Sequence, residues 1–191
     1  YLAHYNNLEK AIEFRIKPAR LESNQHLFST TSSLDALAFA NSSNHLVLVP
    51  YTGNDISSSG DSTQYGKLRY QIANTTVVET DNFPIFNGDF WNIFINASKN
   101  GSTDLQNIEF GAYQANFNKN IHKYVTSSVI DNTIYTGGSS WKFMFGASGV
   151  TAQYAFSHYF IGGITPNSNS NYDSVDGLRY SGSLQEVRIY N

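Results

Sequence analysis

The stretch Ala11–Pro18 reads "AIEFRIKP". Ile12, Phe14 and Ile16 alternate with Glu13, Arg15 and Lys17. A period of two sends one set of side chains to each face of an extended chain, one face buried and one wet. The stretch therefore predicts a strand, closed by Pro18, which cannot donate to a ladder.

Similar runs recur outward from it. "HLFSTT" (26–31), "ALAFA" (36–40) and "HLVLVP" (45–50) are short apolar runs separated by Ser, Asn and Asp. "KLRYQIA" (67–73) alternates cleanly. "NGDFWNIFINAS" (87–98) opens on an Asn-Gly turn signal, and its Trp91, Ile93 and Ile95 share one face. "NIEFGAYQA" (107–115), "WKFMFGAS" (141–148) and "YAFSHYFIGG" (154–163) follow, bounded by Gly or Ser. "NIHKYVTSSVID" (120–131) suits a short helix or a strand, and its pattern does not decide between them. Two polar, turn-rich segments, 52–66 and 165–177, read as loops. Many short strands at this spacing predict an antiparallel β-sandwich.

Composition agrees. The 191 residues suit one domain, 1–191, with no internal linker or solenoid repeat. Charged residues are only 14%, against about a quarter in an average soluble protein. Aromatics reach 15%, with 13 Tyr and 13 Phe, which favours pleated, half-buried surfaces. A net charge of −3 with no Lys/Arg cluster argues against a nucleic-acid partner. The absence of cysteine excludes disulfides, thiolate metal sites and a Cys nucleophile. No apolar run approaches the roughly 18 residues of a membrane span. The chain starts on Tyr1, which leads to the expectation that it belongs to a longer polypeptide.

The last stretch, "YSGSLQEVRIYN" (180–191), reads as a turn followed by a strand. It is expected to lie beside the first strand, so that Glu13, Arg15 and Lys17 face Glu186 and Arg188 as cross-strand pairs.

Four segments together carry a resemblance: "AIEFRIKP" (11–18), "GDFWNIFI" (88–95), "FIGG" (160–163) and the terminal "YSGSLQEVRIYN". In this order the chain resembles the laminin-G-like, concanavalin A-like jelly-roll family. The resemblance implies two curved antiparallel sheets packed face to face, with ligands at edge loops or on the concave face. It does not imply one function, because the fold hosts lectins, adhesion modules, capsid or fibre decorations and some glycanases. The Asn-rich style resembles such domains in phage and large-virus particle proteins, so an extracellular or virion-surface location is expected.

A retaining glycanase needs two carboxylates about 5 Å apart, and the family's E-x-D-x-x-E pattern is absent. The nearest pairs are Glu9 with Glu13, read as solvated charge, and Asp173 with Asp176, on a loop. The histidines at 4, 26, 45, 122 and 158 show no metal-ligand spacing. Calcium would take oxygen-rich loops. The candidates are Asn54, Asp55 and Asp61, and, better placed, Asn171, Asp173 and Asp176, though self-capped polar turns are the favoured reading of both loops. Sugar rings stack on aromatic faces while amides bind hydroxyls, which makes Tyr65, Trp141, Tyr154, Tyr159 and Tyr172 candidate ligand-binding residues. Trp91 is expected in the core. Glycosylation sequons fall at Asn41, Asn74, Asn96 and Asn100. The expectation is a non-enzymatic module that binds a glycan or a cell-surface or particle protein. A purely structural capsid or fibre domain is the alternative, and a glycanase comes third.

Overall fold

The computed structural model describes residues 10–31, 43–53, 61–72, 75–99, 106–115, 120–131, 134–135, 139–140, 158–162 and 180–190. These contain twelve strands: β1 (Lys10–Pro18), β2 (Gln25–Thr31), β3 (Ser43–Pro50), β4 (Gly66–Ile72), β5 (Thr75–Glu79), β6 (Trp91–Lys99), β7 (Gln106–Ala115), β8 (Ile121–Asp131), β9 (Ile134–Tyr135), β10 (Ser139–Ser140), β11 (His158–Ile161) and β12 (Gly182–Tyr190). One short 3-10 turn, Ser62–Gln64, interrupts the β3–β4 connection among them. The ambiguous segment at 120–131 is strand β8. Strand β5 was not foreseen; "TTVVE" is a short run with no clean alternation. The expected strands at 36–40 and 141–148 lie outside the described residues, as does the loop at 165–177.

Ten of these strands form a β-sandwich, and β9 and β10 pair as a separate two-stranded sheet. Sheet A has the order β12-β1-β6-β7-β8 and sheet B the order β11-β2-β3-β4-β5, with every pairing antiparallel. Alternation builds the core. Ile12, Phe14 and Ile16 of β1, Trp91, Ile93 and Ile95 of β6, and Ile108, Phe110 and Ala112 of β7 are buried. They meet Leu27, Phe28, Leu46, Leu48, Leu68 and Tyr70 of sheet B. Tyr70 and Phe110 bridge the sheets with ring centroids 6.1 Å apart. Trp91 is 1% exposed and packs edge-on against Phe83 at 5.0 Å. The Asn-Gly turn holds it from below: the Asn87 carboxamide oxygen accepts from both the Asp89 N–H and the Trp91 indole N–H.

The last strand does lie beside the first. Ile189 opposes Ile12, Arg188 opposes Glu13, Gln185 opposes Arg15 and Ser183 opposes Lys17. The expected charge pairing is corrected in part. A bulge shifts the register between Glu13 and Arg15, and Glu186 takes φ +49 within it. Glu186 therefore pairs along its own strand with Arg188, at 3.0 Å, instead of reaching across to β1. Gly182 starts the strand at φ +135, and a Cβ there would stand 2.3 Å from the Lys17 carbonyl oxygen. Only glycine fits that close approach.

Candidate functional site

Each sheet has one face turned away from the core. On sheet B the outward residues of β2 and β3 are themselves buried: His26, Ser29, His45 and Val47. The two imidazoles meet edge to face at 4.7 Å. Ser29 Oγ lies 2.8 Å from His45 Nδ1 and 3.4 Å from His26 Nδ1. Burial pushes the His26 pKa down to about 4. Burial, with the neighbouring His26 adding to it, pushes His45 down to about 3. Both rings are therefore neutral at ordinary pH. Among the described residues no three His, Cys, Asp or Glu side chains group to hold a metal. Further along the face Glu79 is engaged by Lys67 and by Arg69, the latter at 2.6 Å. Glu79 thus engages both described cations of β4.

The outer face of sheet A is open and differently furnished. Backbone register sets its side chains in rows that cross the strands. One row runs Gln185, Arg15, Asn92, Tyr113, Tyr124; the next runs Arg188, Glu13, Phe94, Gly111, Thr126. Tyr190 opposes Ala11 in the row beyond, with Asn96 and Glu109.

The aromatic groups are tied together. Gly111 leaves room for the Phe94 ring: a Cβ there would stand 2.8 Å from Phe94 Cζ and 2.2 Å from the Val125 carbonyl oxygen. An aromatic residue covering a cross-strand glycine is a known device for stabilising sheets. Tyr124 stands beside Phe94 within 11° of parallel, centroids 6.0 Å apart, and is 55% exposed. Tyr113 lies 6.5 Å from Phe94 and donates its hydroxyl to the Glu13 carboxylate. Tyr190, 46% exposed, donates to the other Glu13 oxygen at 3.1 Å. Burial, then the Glu13 carboxylate, raises the Tyr113 pKa to about 12, so the phenol stays a donor. Asn96 Nδ2 donates to Glu109 at 3.3 Å, and the Arg15 guanidinium stacks on Phe90 at 4.7 Å.

Glu13 is thus not the solvated charge expected of it, because two phenol hydroxyls converge on its carboxylate, Tyr190 from the adjacent β12 and Tyr113 from β7 across β6. The aromatic face also differs from the candidate set. Tyr65 lies at the end of the β3–β4 connection, where its carbonyl accepts from the Tyr51 N–H and from Arg20. Arg20 there also bonds the Thr63 and Tyr51 carbonyls at 2.8 Å, which makes the region a structural clamp. Tyr159 pairs with Thr30 at the edge of sheet B, and its side chain lies outside the described residues. Trp141, Tyr154 and Tyr172 lie outside them too, as do Asn171, Asp173 and Asp176, and Asn54 and Asp55. Asp61 is described: it caps its own turn by accepting from the Thr63 N–H at 2.9 Å. That is the self-capped polar turn expected of this loop.

Sequence reasoning passed over Phe94, Tyr113, Tyr124 and Tyr190. The available signal was phase. Phe94 falls on the wet phase of the Trp91–Ile93–Ile95 alternation, and Tyr113 on the wet phase of Ile108–Phe110–Ala112. No protein-family model matches the chain, and no curated protein matches it significantly.

Proposed function

We propose that the chain is a non-catalytic carbohydrate-binding module whose glycan lies on the outer face of sheet A. The observation that carries this reading is the near-parallel Phe94–Tyr124 pair beside the Tyr113–Glu13–Tyr190 cluster, on an open face. Aromatic faces take the C–H surface of a sugar ring, while hydroxyl, amide and carboxylate groups fix its hydroxyls. Glu13 and Glu109, the carboxylates of the central rows, are each bonded to a neighbour and lie on strands separated by β6. They support binding in preference to glycoside cleavage. The reading includes a laminin-G-like, concanavalin A-like jelly-roll connection of the strands, and a place in an adhesive or particle-surface protein.

A glycan array probed with the folded chain, with calcium and again with chelator, tests this. The expected result is binding that survives chelation and is lost in Tyr124→Ala. Binding that requires calcium would move the site to the loops holding Asn171, Asp173 and Asp176. A blank array would favour a structural role. One feature supports that second reading: Leu184, Val187 and Ile189 of the edge strand β12 are 40%, 45% and 48% exposed, which suits contact with an assembly partner.

A further inference from the structure

We infer that the ligand of this face is an uncharged, extended pyranose chain lying across the strands, and not an acidic glycan or a single terminal sugar. The inference rests on the carbohydrate-binding reading above and adds the chemical class.

Charge is the first argument. The described charged groups of the face balance, Arg15, Lys17 and Arg188 against Glu13, Glu109 and Glu186, and most are engaged: Glu186 with Arg188, Glu13 with two phenols, Glu109 with Asn96, Arg15 on Phe90. A sulfated or uronic chain needs a surplus of guanidinium or ammonium groups to offset its desolvation. This face has no such surplus among its described side chains. A neutral sugar needs none, and finds hydroxyl and amide partners in Tyr113, Tyr190 and Asn92.

Reach is the second argument. One row of polar and aromatic groups crosses the whole sheet, from Gln185 on β12 through Arg15, Asn92 and Tyr113 to Tyr124 on β8, the two edge strands. Strands lie about 4.8 Å apart, so five of them span about 19 Å. One strand spacing is close to the length of one pyranose unit. A chain crossing the strands would therefore meet a new side chain at each unit, with the Phe94–Tyr124 pair as its aromatic end. A single sugar would use only a fraction of these groups.

Isothermal titration of the intact chain tests the class. The neutral probes are cello-, chito-, manno- and xylo-oligosaccharides, from disaccharide to hexasaccharide; the anionic probes are heparin and polygalacturonate. The expected result is affinity that climbs with length to about the tetrasaccharide for at least one neutral series and exceeds that for either polyanion. Tyr124→Ala should weaken it about tenfold or more, Gln185→Ala at the β12 end of the row should flatten the length dependence, and Tyr124→Phe should retain stacking and affinity. Tighter binding of a polyanion, or equal affinity for disaccharide and hexasaccharide, overturns the class while leaving the carbohydrate reading intact. Absence of binding to every probe by a folded sample overturns both.

Discussion

At the scale of single residues, phase along a strand decides the role of an aromatic ring. Trp91 and Phe94 are three residues apart on β6, yet one is sealed in the core and the other lies on the outer face over Gly111. Trp91→Ala would remove the indole from between Phe83 and the Asn87 turn and leave a cavity. Truncation of a large core aromatic costs about 3–5 kcal/mol. Chemical denaturation should show that loss, and a change below about 1 kcal/mol would contradict the core role of the ring. The burial of Trp91 was legible in the sequence, because its alternation with Ile93 and Ile95 is unbroken. The role of Phe94 was not, because an outward aromatic looks like any half-exposed residue until its cross-strand neighbour is known to be glycine.

At the scale of elements, the attachment of β12 depends on more than its ladder to β1. Gln25 of β2 is fully buried. Its amide nitrogen donates to the Ala19 carbonyl at 2.8 Å, and its oxygen accepts from the Ser181 N–H at 2.8 Å. Ala19 in turn donates to the Ser181 carbonyl at 2.9 Å. One side chain of sheet B thus fixes both the exit of β1 and the start of β12 in sheet A. Gln25→Leu keeps much of the volume but removes both hydrogen bonds, to the Ala19 carbonyl and from the part-buried Ser181 N–H. The expected cost is about 1 kcal/mol per bond. Hydrogen exchange should show β12 amides losing protection before those of β6 and β7, and uniform loss across sheet A would argue against a local anchor. That the terminal strand pairs with β1 could be anticipated from its alternation. The glutamine could not, since a lone Gln before an apolar run carries no signal of its partners.

At the scale of the whole molecule, the two outer faces set the pH range of stability. His26 and His45 are held at about 4 and about 3, below the ordinary 6.5, so the unfolded chain takes up protons that the folded chain refuses. Where the unfolded state binds more protons, stability rises with pH. Stability should therefore be full above about 6.5 and fall as pH drops towards 4 and then 3, by an amount on the order of several kcal/mol. Tyr113 acts at the other end. Its pKa is raised from 10.0 to about 12, so the folded state holds a proton that the unfolded state releases, and stability declines as pH climbs through that window. Denaturant midpoints across the pH range measure both slopes. A flat acid limb, or an acid limb unchanged in His45→Gln, would rule out the buried imidazoles as its source. The sequence by itself determined that the chain is a β-sandwich and that Ile12, Phe14, Ile16, Trp91, Ile93 and Ile95 face its core, because a period of two and punctuating turns are local properties. It also determined that the first and last strands suit one another. Tertiary structure alone decided which outer face is open, that the aromatic side chains of β6, β7, β8 and β12 share it, and that two histidines distant in sequence meet around one serine. Those are matters of register and layer, and register is settled only when strands far apart in the chain pair.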